Sequence, residues 1–475
     1  MLEKFGDIIG EISSIVWGWP LLIFLVGAHI YLTIRLGFIQ KYVFKGIKLS
    51  FQKDKEAKGD VSQFASLMTA LSATLGTGNI IGVATAVLIG GPGAVFWLWI
   101  VGLFAIATKY AEGLLAVKYR VKTNSGTMLG GPMYALESGL NMKWLAIIFS
   151  VMCSLAAFGI GNGVQANSIA GIVGGHFSED AANTVNIVVG IALFIATFAV
   201  VIGGLKSIAR FAEKVIPASA ILFMACVMAI LVMNVSFIPE AIVLIFKSAF
   251  AEQAIAGGAI GGGIMIAMRL GISRGLFSNE AGLGSAPLAA ANAVTRNPVR
   301  QALVSMSAVF WDTIVMCFLT GVMYTTVILK YPEKFVGTLE DGSTGFVASA
   351  TDLARGAFET IPGIGAYLIT ICIILFAWTT ILGWCFYGER TMEYLFGKVA
   401  LIPYRIAFCI VAFIGATIPL GIVWDIADIL NALMAVPNVI ALVLLSSVLV
   451  KETKKYLWSD NLDLASDDVI REVNK

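Results

Sequence analysis

Charge is scarce in this chain. Only 13% of its 475 residues are Asp, Glu, Lys or Arg and 58% are hydrophobic, whereas a soluble domain carries about 25% charged and about 45–50% apolar residues. That balance excludes a water-soluble globule and points to an all-α integral membrane protein. Histidine is scarcer still, with His29 in the first apolar run and His176 in a polar loop, neither beside a cluster of partners. The six cysteines (Cys153, Cys226, Cys317, Cys372, Cys385 and Cys409) all fall inside apolar runs and form no CxxC pair. They read as small packing residues rather than disulfides or metal ligands. Together these absences remove the convergent nucleophile, base or metal ligands that an enzyme or a metal centre requires, and no cofactor is expected. A net charge of +2 without a dense basic block gives no sign of nucleic-acid binding.

What the chain has instead is apolar length. About 20 residues of helix cross a bilayer, and eleven runs qualify: 14–37, 62–90, 93–119, 144–173, 182–204, 209–234, 251–290 with an internal break, 301–329, 361–388, 402–422 and 427–450. The first is too long for a signal peptide and follows Glu3 and Asp7, so it reads as a retained span. Basic residues collect in alternate loops: Arg35 to Lys58 after the first span, Lys118 to Lys122 after the third, Lys206 to Lys214 after the fifth, Arg296 and Arg300 before the eighth, and Arg390 to Arg405 after the ninth. The intervening loops, "GGHFSED", "NVSFIPE" and "WDIADI", are acidic or neutral. Basic loops stay in the cytoplasm, so the N-terminus is expected outside a plasma membrane and the C-terminus inside. The polar segment 451–475 is expected to be a loosely held cytoplasmic tail.

One stretch is too polar for its place. "SATLGTGNIIG", Ser72 to Gly82, lies in the middle of the second span. Irregular backbone is tolerated at that depth only where protein buries it or a wet cavity meets it. Gly78 and Gly82 also form a GxxxG pair, which serves close helix packing. Packing alone leaves Gly76, Thr77, Gly78 and Asn79 unexplained, because their free amides, carbonyls, hydroxyl and carboxamide suit an unwound segment gripping an ion and a zwitterion. A transporter built on inverted repeats places a matching break five spans later. The seventh span offers two positions. Gly257–Gly263 is glycine-rich and otherwise apolar; Gly271–Asn279 is polar and ends in "SNEAG", where Ser278 or Asn279 caps a new helix carrying Glu280 in its first turn. The second is favoured because it aims a helix N-terminus at an anionic group, although it puts Arg269 and Arg274 deep in the bilayer.

The motifs "SATLGTGNIIGVATA", "GGPGAVFWLW", "GGPMYAL", "GIGNGVQANSIAG", "RGLFSNEAGLGSAP" and "FAWTTILGWCFYGER", in this order between residues 62 and 390, resemble the alanine or glycine:cation symporter family. The resemblance implies the leucine-transporter fold: eleven transmembrane helices, of which one at the N-terminus (1–61) is extra, with inverted five-helix repeats at 62–234 and 235–450. It further implies a sodium ion held by the carbonyls of Ser72, Leu75 and Phe376 with the hydroxyls of Thr379 and Thr380. The substrate implied is a small neutral amino acid, alanine or glycine. Its carboxylate would meet the amides of Gly76, Thr77 and Gly78, helped by Asn79, and its ammonium the carbonyls of the seventh-span break near Phe277. Gln165 is expected to face this site, Asn162 less so, and Trp384 to wall off a small side chain. Neutral oxygens suit a hard cation that must be released each cycle, yet the two threonines have an ordinary alternative in bonding back to their own helix.

Asp312 stands about eleven residues into the eighth span, where a carboxylate is expensive. It reads as a second cation site with Asn79, a proton carrier, or a partner for an arginine such as Arg269. Glu112 and Lys109 read as an ordinary snorkelling pair near a boundary. The function expected is sodium-coupled symport by alternating access; proton coupling is the nearer alternative and a channel the more distant one.

Overall fold

Helix formation follows the apolar runs, and the departures from it fall where glycine and hydrogen-bonding residues concentrate. In this computed structural model the described residues are 2–52, 57–124, 126–251, 254–256, 259–261, 263–338, 344–418 and 421–473. The first run forms α1 (Leu2–Val16) and α2 (Trp19–Arg35), followed by a short α3 (Val43–Ser50). The second run is broken into α4 (Gln63–Thr74) and α5 (Ile81–Gly90), bent by 61°. The Ser62 hydroxyl starts α4 by accepting the Ala65 amide at 3.0 Å. Next come α6 (Gly93–Lys118), strands β1 (Val121–Thr123) and β2 (Met128–Leu129), and a single turn, α7 (Pro132–Tyr134). Helices α8 (Lys143–Phe158) and α9 (Val164–Gly174) make one span through a wide π-turn at Gly159–Gly163. They are followed by α10 (Glu179–Val201), α11 (Gly204–Met233), α12 (Ile238–Ser248) and a hairpin of β3 (Ala254–Ala256) and β4 (Ala259–Gly261).

The seventh run gives α13 (Ile264–Asn279) and a single turn, α14 (Pro287–Ala290). The eighth is α15 (Pro298–Val309) and α16 (Phe318–Lys330), joined by π-helix at Phe310–Cys317. A hairpin of β5 (Val336–Thr338) and β6 (Thr344–Phe346) leads to α17 (Ala350–Phe358), α18 (Gly365–Phe396), α19 (Leu401–Thr417), α20 (Gly421–Leu444), α21 (Ser446–Thr453) and a last strand, β7 (Arg471–Val473). Among the described residues nine helices are long and apolar enough to cross a bilayer, and the bent α4–α5 pair makes a tenth. Exposed Ile187, Ile191 and Ile195 on α10 and Ile402, Ile406, Ile410 and Ile414 on α19 recur one helical turn apart. Such apolar outward stripes suit hydrocarbon. The protein is a multi-pass membrane protein.

Two expectations change here, and one falls partly outside the described residues. The favoured break at Gly271–Asn279 is continuous helix, and the irregular segment follows it at residues 280–286. Gly271 and Gly275 are there for contact: a β-carbon on Gly271 would overlap the Ala94 carbonyl of α6, and one on Gly275 would lie 2.7 Å from Val101. The alternative at Gly257–Gly263 lies partly outside the described residues; 254–256 and 259–261 form the hairpin. The tail, finally, is docked. β7 pairs in parallel with β1, Asn297 donates to the carbonyls of Leu462 and Leu464 at 2.8 and 2.9 Å, and Arg300 and Lys118 each approach an aspartate, Asp463 and Asp468, to 2.7 Å.

Candidate functional site

The first break begins where Leu75 leaves the helical region with ψ at 87° and Gly76 extends. Thr77–Asn79 then form one tight turn before α5 resumes. The carbonyl end of α4 and the amide end of α5 therefore meet in one place, the first suited to a cation and the second to an anion. The amides are engaged by side chains: Gly76 donates to Asn79 Oδ1 at 3.1 Å, and the amide and hydroxyl of Thr77 donate to Gln165 Oε1 at 3.4 and 3.1 Å. Gln165 is held in turn by donating to the Ile160 carbonyl in the π-turn. Of the GxxxG pair, Gly78 packs on Phe277 and Ser278 of α13, whereas Gly82 meets no neighbouring helix. Asn162 donates to the Phe408 carbonyl at 2.7 Å, a packing role.

The second break has the opposite polarity to the expected one. Ser278 and Asn279 do not cap a new helix; they end α13, and Glu280 takes the left-handed conformation with φ at 55°. The next amides turn away, Ala281 to Asn279 Oδ1 and Gly282 to Glu112. The carbonyls of Phe277 and Ser278 thus have no following amide to accept, and a helix C-terminus, favourable to cations, faces the site. Gly282 and Gly284 adopt φ of +90° and +85°, a region that favours glycine.

Lys109 and Glu112 are buried rather than snorkelling, and each grips this segment. Lys109 Nζ donates to the Asn279 carbonyl at 2.8 Å. Glu112 Oε1 accepts the amides of Gly282 and Gly284 at 3.0 and 3.1 Å and the Asn438 carboxamide at 2.8 Å. His29 donates to or accepts from Thr108 at 2.7 Å beside the same segment.

Asp312 comes from the π-helical stretch of the eighth span and joins both breaks. Asn79 Nδ2 donates to its Oδ1 at 2.7 Å, the Ser278 hydroxyl lies 2.9 and 3.0 Å from its two oxygens, and Thr313 donates to Oδ2 at 2.6 Å. Cys317 Sγ sits 3.2 Å from both Asn79 Nδ2 and Ser278 Oγ. Arg269 is not its partner; that side chain lines a separate hollow of about 190 Å³ with Arg274 and Asp428.

The predicted sodium ligands gather where α4 crosses α18. Thr380 Oγ lies 3.3 Å from the Leu75 carbonyl and 3.0 Å from that of Phe376, while among the described residues Thr379 bonds only back to Phe376 at 2.9 Å. The Ser72 hydroxyl turns to the Thr69 carbonyl, and Gly383 lets α18 touch the chain at Ser72 and Ala73. Above this crossing is a cavity of about 20 Å³, lined by Gly76, Gly78, Gln165, Phe277, Thr380 and Trp384 and by residues that were not anticipated, Ser278, Glu280 and Asn431. It has room for little more than one water molecule. Trp384 packs its ring on Gly161, narrowing the cavity from one side. Phe277 lines it and also both larger hollows beyond, the one shared by Arg274 and Asp428 and one of about 210 Å³ reached by Thr77 and Gly82. The Phe277 side chain is thus common to the cavity and to both hollows.

The sequence profile of the sodium:alanine symporter family matches residues 2–469. The chain belongs to that family. It is 46% identical over 459 residues to the sodium/alanine symporter AgcS of Methanococcus maripaludis, covering 95% of this chain and 97% of that one. An uncharacterized transporter of Haemophilus influenzae is 47% identical over 95% of this chain and 96% of its own. The crystal structure of MhsT in complex with L-phenylalanine matches 87% of this chain and 94% of its own with a TM-score of 0.54 at 14% identity. At that identity the likeness establishes the shared leucine-transporter fold alone. The family is one of transporters, which sets the enzyme reading aside.

Proposed function

We propose that this symporter family member couples sodium entry to uptake of a small neutral amino acid, alanine or glycine, by alternating access across a plasma membrane. The single observation that carries this reading is the cavity between two interrupted spans, with the Leu75 and Phe376 carbonyls beneath it sharing one threonine hydroxyl. In this proposal eleven spans are present, α13–α14 being the seventh, with α1–α2 the extra helix before inverted repeats at 62–234 and 235–450. The N-terminus lies outside and the C-terminus inside.

Sodium takes the carbonyls of Ser72, Leu75 and Phe376 and the hydroxyls of Thr379 and Thr380, a neutral oxygen set suited to a hard cation. The substrate carboxylate takes the amide side at Gly76, Thr77 and Gly78, displacing Gln165 Oε1 from Thr77, while Asn79 shapes the turn from behind. Phe277 closes over the substrate, and Trp384 and Ile160 limit its side chain. Asp312 and Asn79 form a second cation or proton site, a reading supported by a carboxylate whose hydrogen-bond partners are neutral donors.

The test is uptake of labelled alanine into proteoliposomes with and without a sodium gradient. The Thr379→Val/Thr380→Val double variant is expected to lose sodium-dependent uptake while remaining folded. Uptake driven equally by a proton gradient without sodium would favour the Asp312 proton site, and uptake with unchanged sodium dependence in the double variant would remove the assigned ion site.

A further inference from the structure

One wall of the cavity has no task in the reading above. It is formed by Glu280, in the left-handed turn that ends α13, and by Asn431 on α20. Both are nearly inaccessible to solvent, at 2% and 1% exposure. The Glu280 carboxyl receives the Ser285 hydroxyl on Oε2 at 2.5 Å. Asn431 Oδ1 has no donor at all among the described residues. A carboxamide oxygen buried without a partner is costly, so its persistence beside a cavity calls for a ligand that donates to it.

A zwitterionic amino acid supplies that donor. With its carboxylate toward the amides of the first break, its ammonium points to the other side of the cavity. Acceptors are available there: Glu280 and Asn431 Oδ1 line the cavity, and the C-terminus of α13, whose carbonyl end favours a cation, lies beside them. An ammonium has three hydrogens to donate and no acceptor. We propose that Glu280 and Asn431 hold the substrate's ammonium group, and thereby make this carrier select for a free amine rather than for a small carboxylic acid. A metal ion is a poorer match to this pair, because a hard cation wants about six oxygens and the side chains of Glu280 and Asn431 bring fewer, one of them already taken by the Ser285 hydroxyl.

This assignment rests on the amino-acid symport proposed above, and two measurements on the purified full-length protein separate them. The first is binding of alanine, L-lactate and propionate in sodium; the second is stabilisation by sodium alone, without any organic ligand. The wild type is expected to bind alanine and to discriminate against both acids by at least a hundredfold. Glu280→Gln and Asn431→Leu are each expected to weaken alanine binding at least tenfold and to shrink that discrimination, with the sodium response within twofold of wild type. Alanine binding within twofold of wild type in either folded variant overturns the assignment, and so does wild-type binding of lactate as tight as that of alanine. Loss of the sodium response together with alanine binding also overturns it, because the pair would then belong to the ion. If Glu280→Gln does not fold, Asn431→Leu decides alone. Absence of sodium-driven amino-acid uptake in the wild type brings down the symport reading itself, whereas intact uptake with unaffected variants brings down only this assignment.

Discussion

Gly76 shows why a residue's torsion angles and its surroundings have to be weighed separately. Its φ of −136° is open to any amino acid, so the glycine is required by space: a β-carbon would lie 2.5 Å from Thr380 Oγ. Gly76→Ala is therefore expected to push that hydroxyl off the Leu75 carbonyl at a stability cost of roughly 1–3 kcal/mol. The sodium concentration for half-maximal uptake should rise at least tenfold. A sodium titration with an unchanged midpoint would detach Thr380 from the ion site. Thr380→Val should likewise be more severe than Thr379→Val, since of the two only Thr380 reaches across from α18 to the Leu75 carbonyl among the described residues. Asp312 was legible in the sequence because a carboxylate so far into a span has no cheap explanation. Glu280 and Glu112 are buried as deeply, but in sequence a neighbouring capping motif and a neighbouring lysine offer them ordinary roles, and sequence does not reveal which side of a helix faces the protein interior.

At the scale of elements, the second break stands or falls with its anchors on α6 and α20. Glu112→Leu would leave the amides of Gly282 and Gly284 and the Asn438 carboxamide without their shared acceptor. Each unsatisfied buried group costs about 1–3 kcal/mol, so a marked drop in melting temperature in detergent is expected. Glu112→Gln keeps one acceptor oxygen and should lose much less. Equal melting temperatures for the two would show that charge, not hydrogen bonding to the break, is what Glu112 provides. The existence of a broken seventh span was readable from its spacing after the second, whereas its position was not. Glycine marks a break and a close helix contact alike, and Gly271 and Gly275 turned out to serve contact with α6, which only the packing partner could disclose.

For the whole molecule, the tail changes how the two ends of the site can move. Residues 58–61 pair with 292–295 through the amides of Asp60, Val61, Val294 and Thr295, and Arg120 ties the two together by donating to the carbonyls of Ala291, Ala293 and Lys58. That is the end of the molecule assigned here to the cytoplasm, where alternating access requires α4 and the chain after α14 to part. The tail lies across this closure, joined to β1, to Asn297 and Arg300 and to Lys118. In sequence it is polar and acidic; its acids find partners on helices far away in the chain, Asp463 on Arg300 of α15 and Asp468 on Lys118 of α6, so its docking was not legible. Hydrogen bonds from Lys118 and Ser466 hold the Asp468 carboxyl below the usual carboxylate range despite the opposing effect of burial. A carboxyl lowered in the folded state contributes fully at neutral pH and loses its contribution only as pH falls through that lowered value. The Asp468 contact should consequently be insensitive to pH between about 5 and 8, while high salt weakens the exposed pairs. Truncation after Trp458 is expected to speed hydrogen exchange of the amides at 58–61 and 292–295 at least tenfold. Unchanged exchange there would mean that the tail rests on a closure it does nothing to hold.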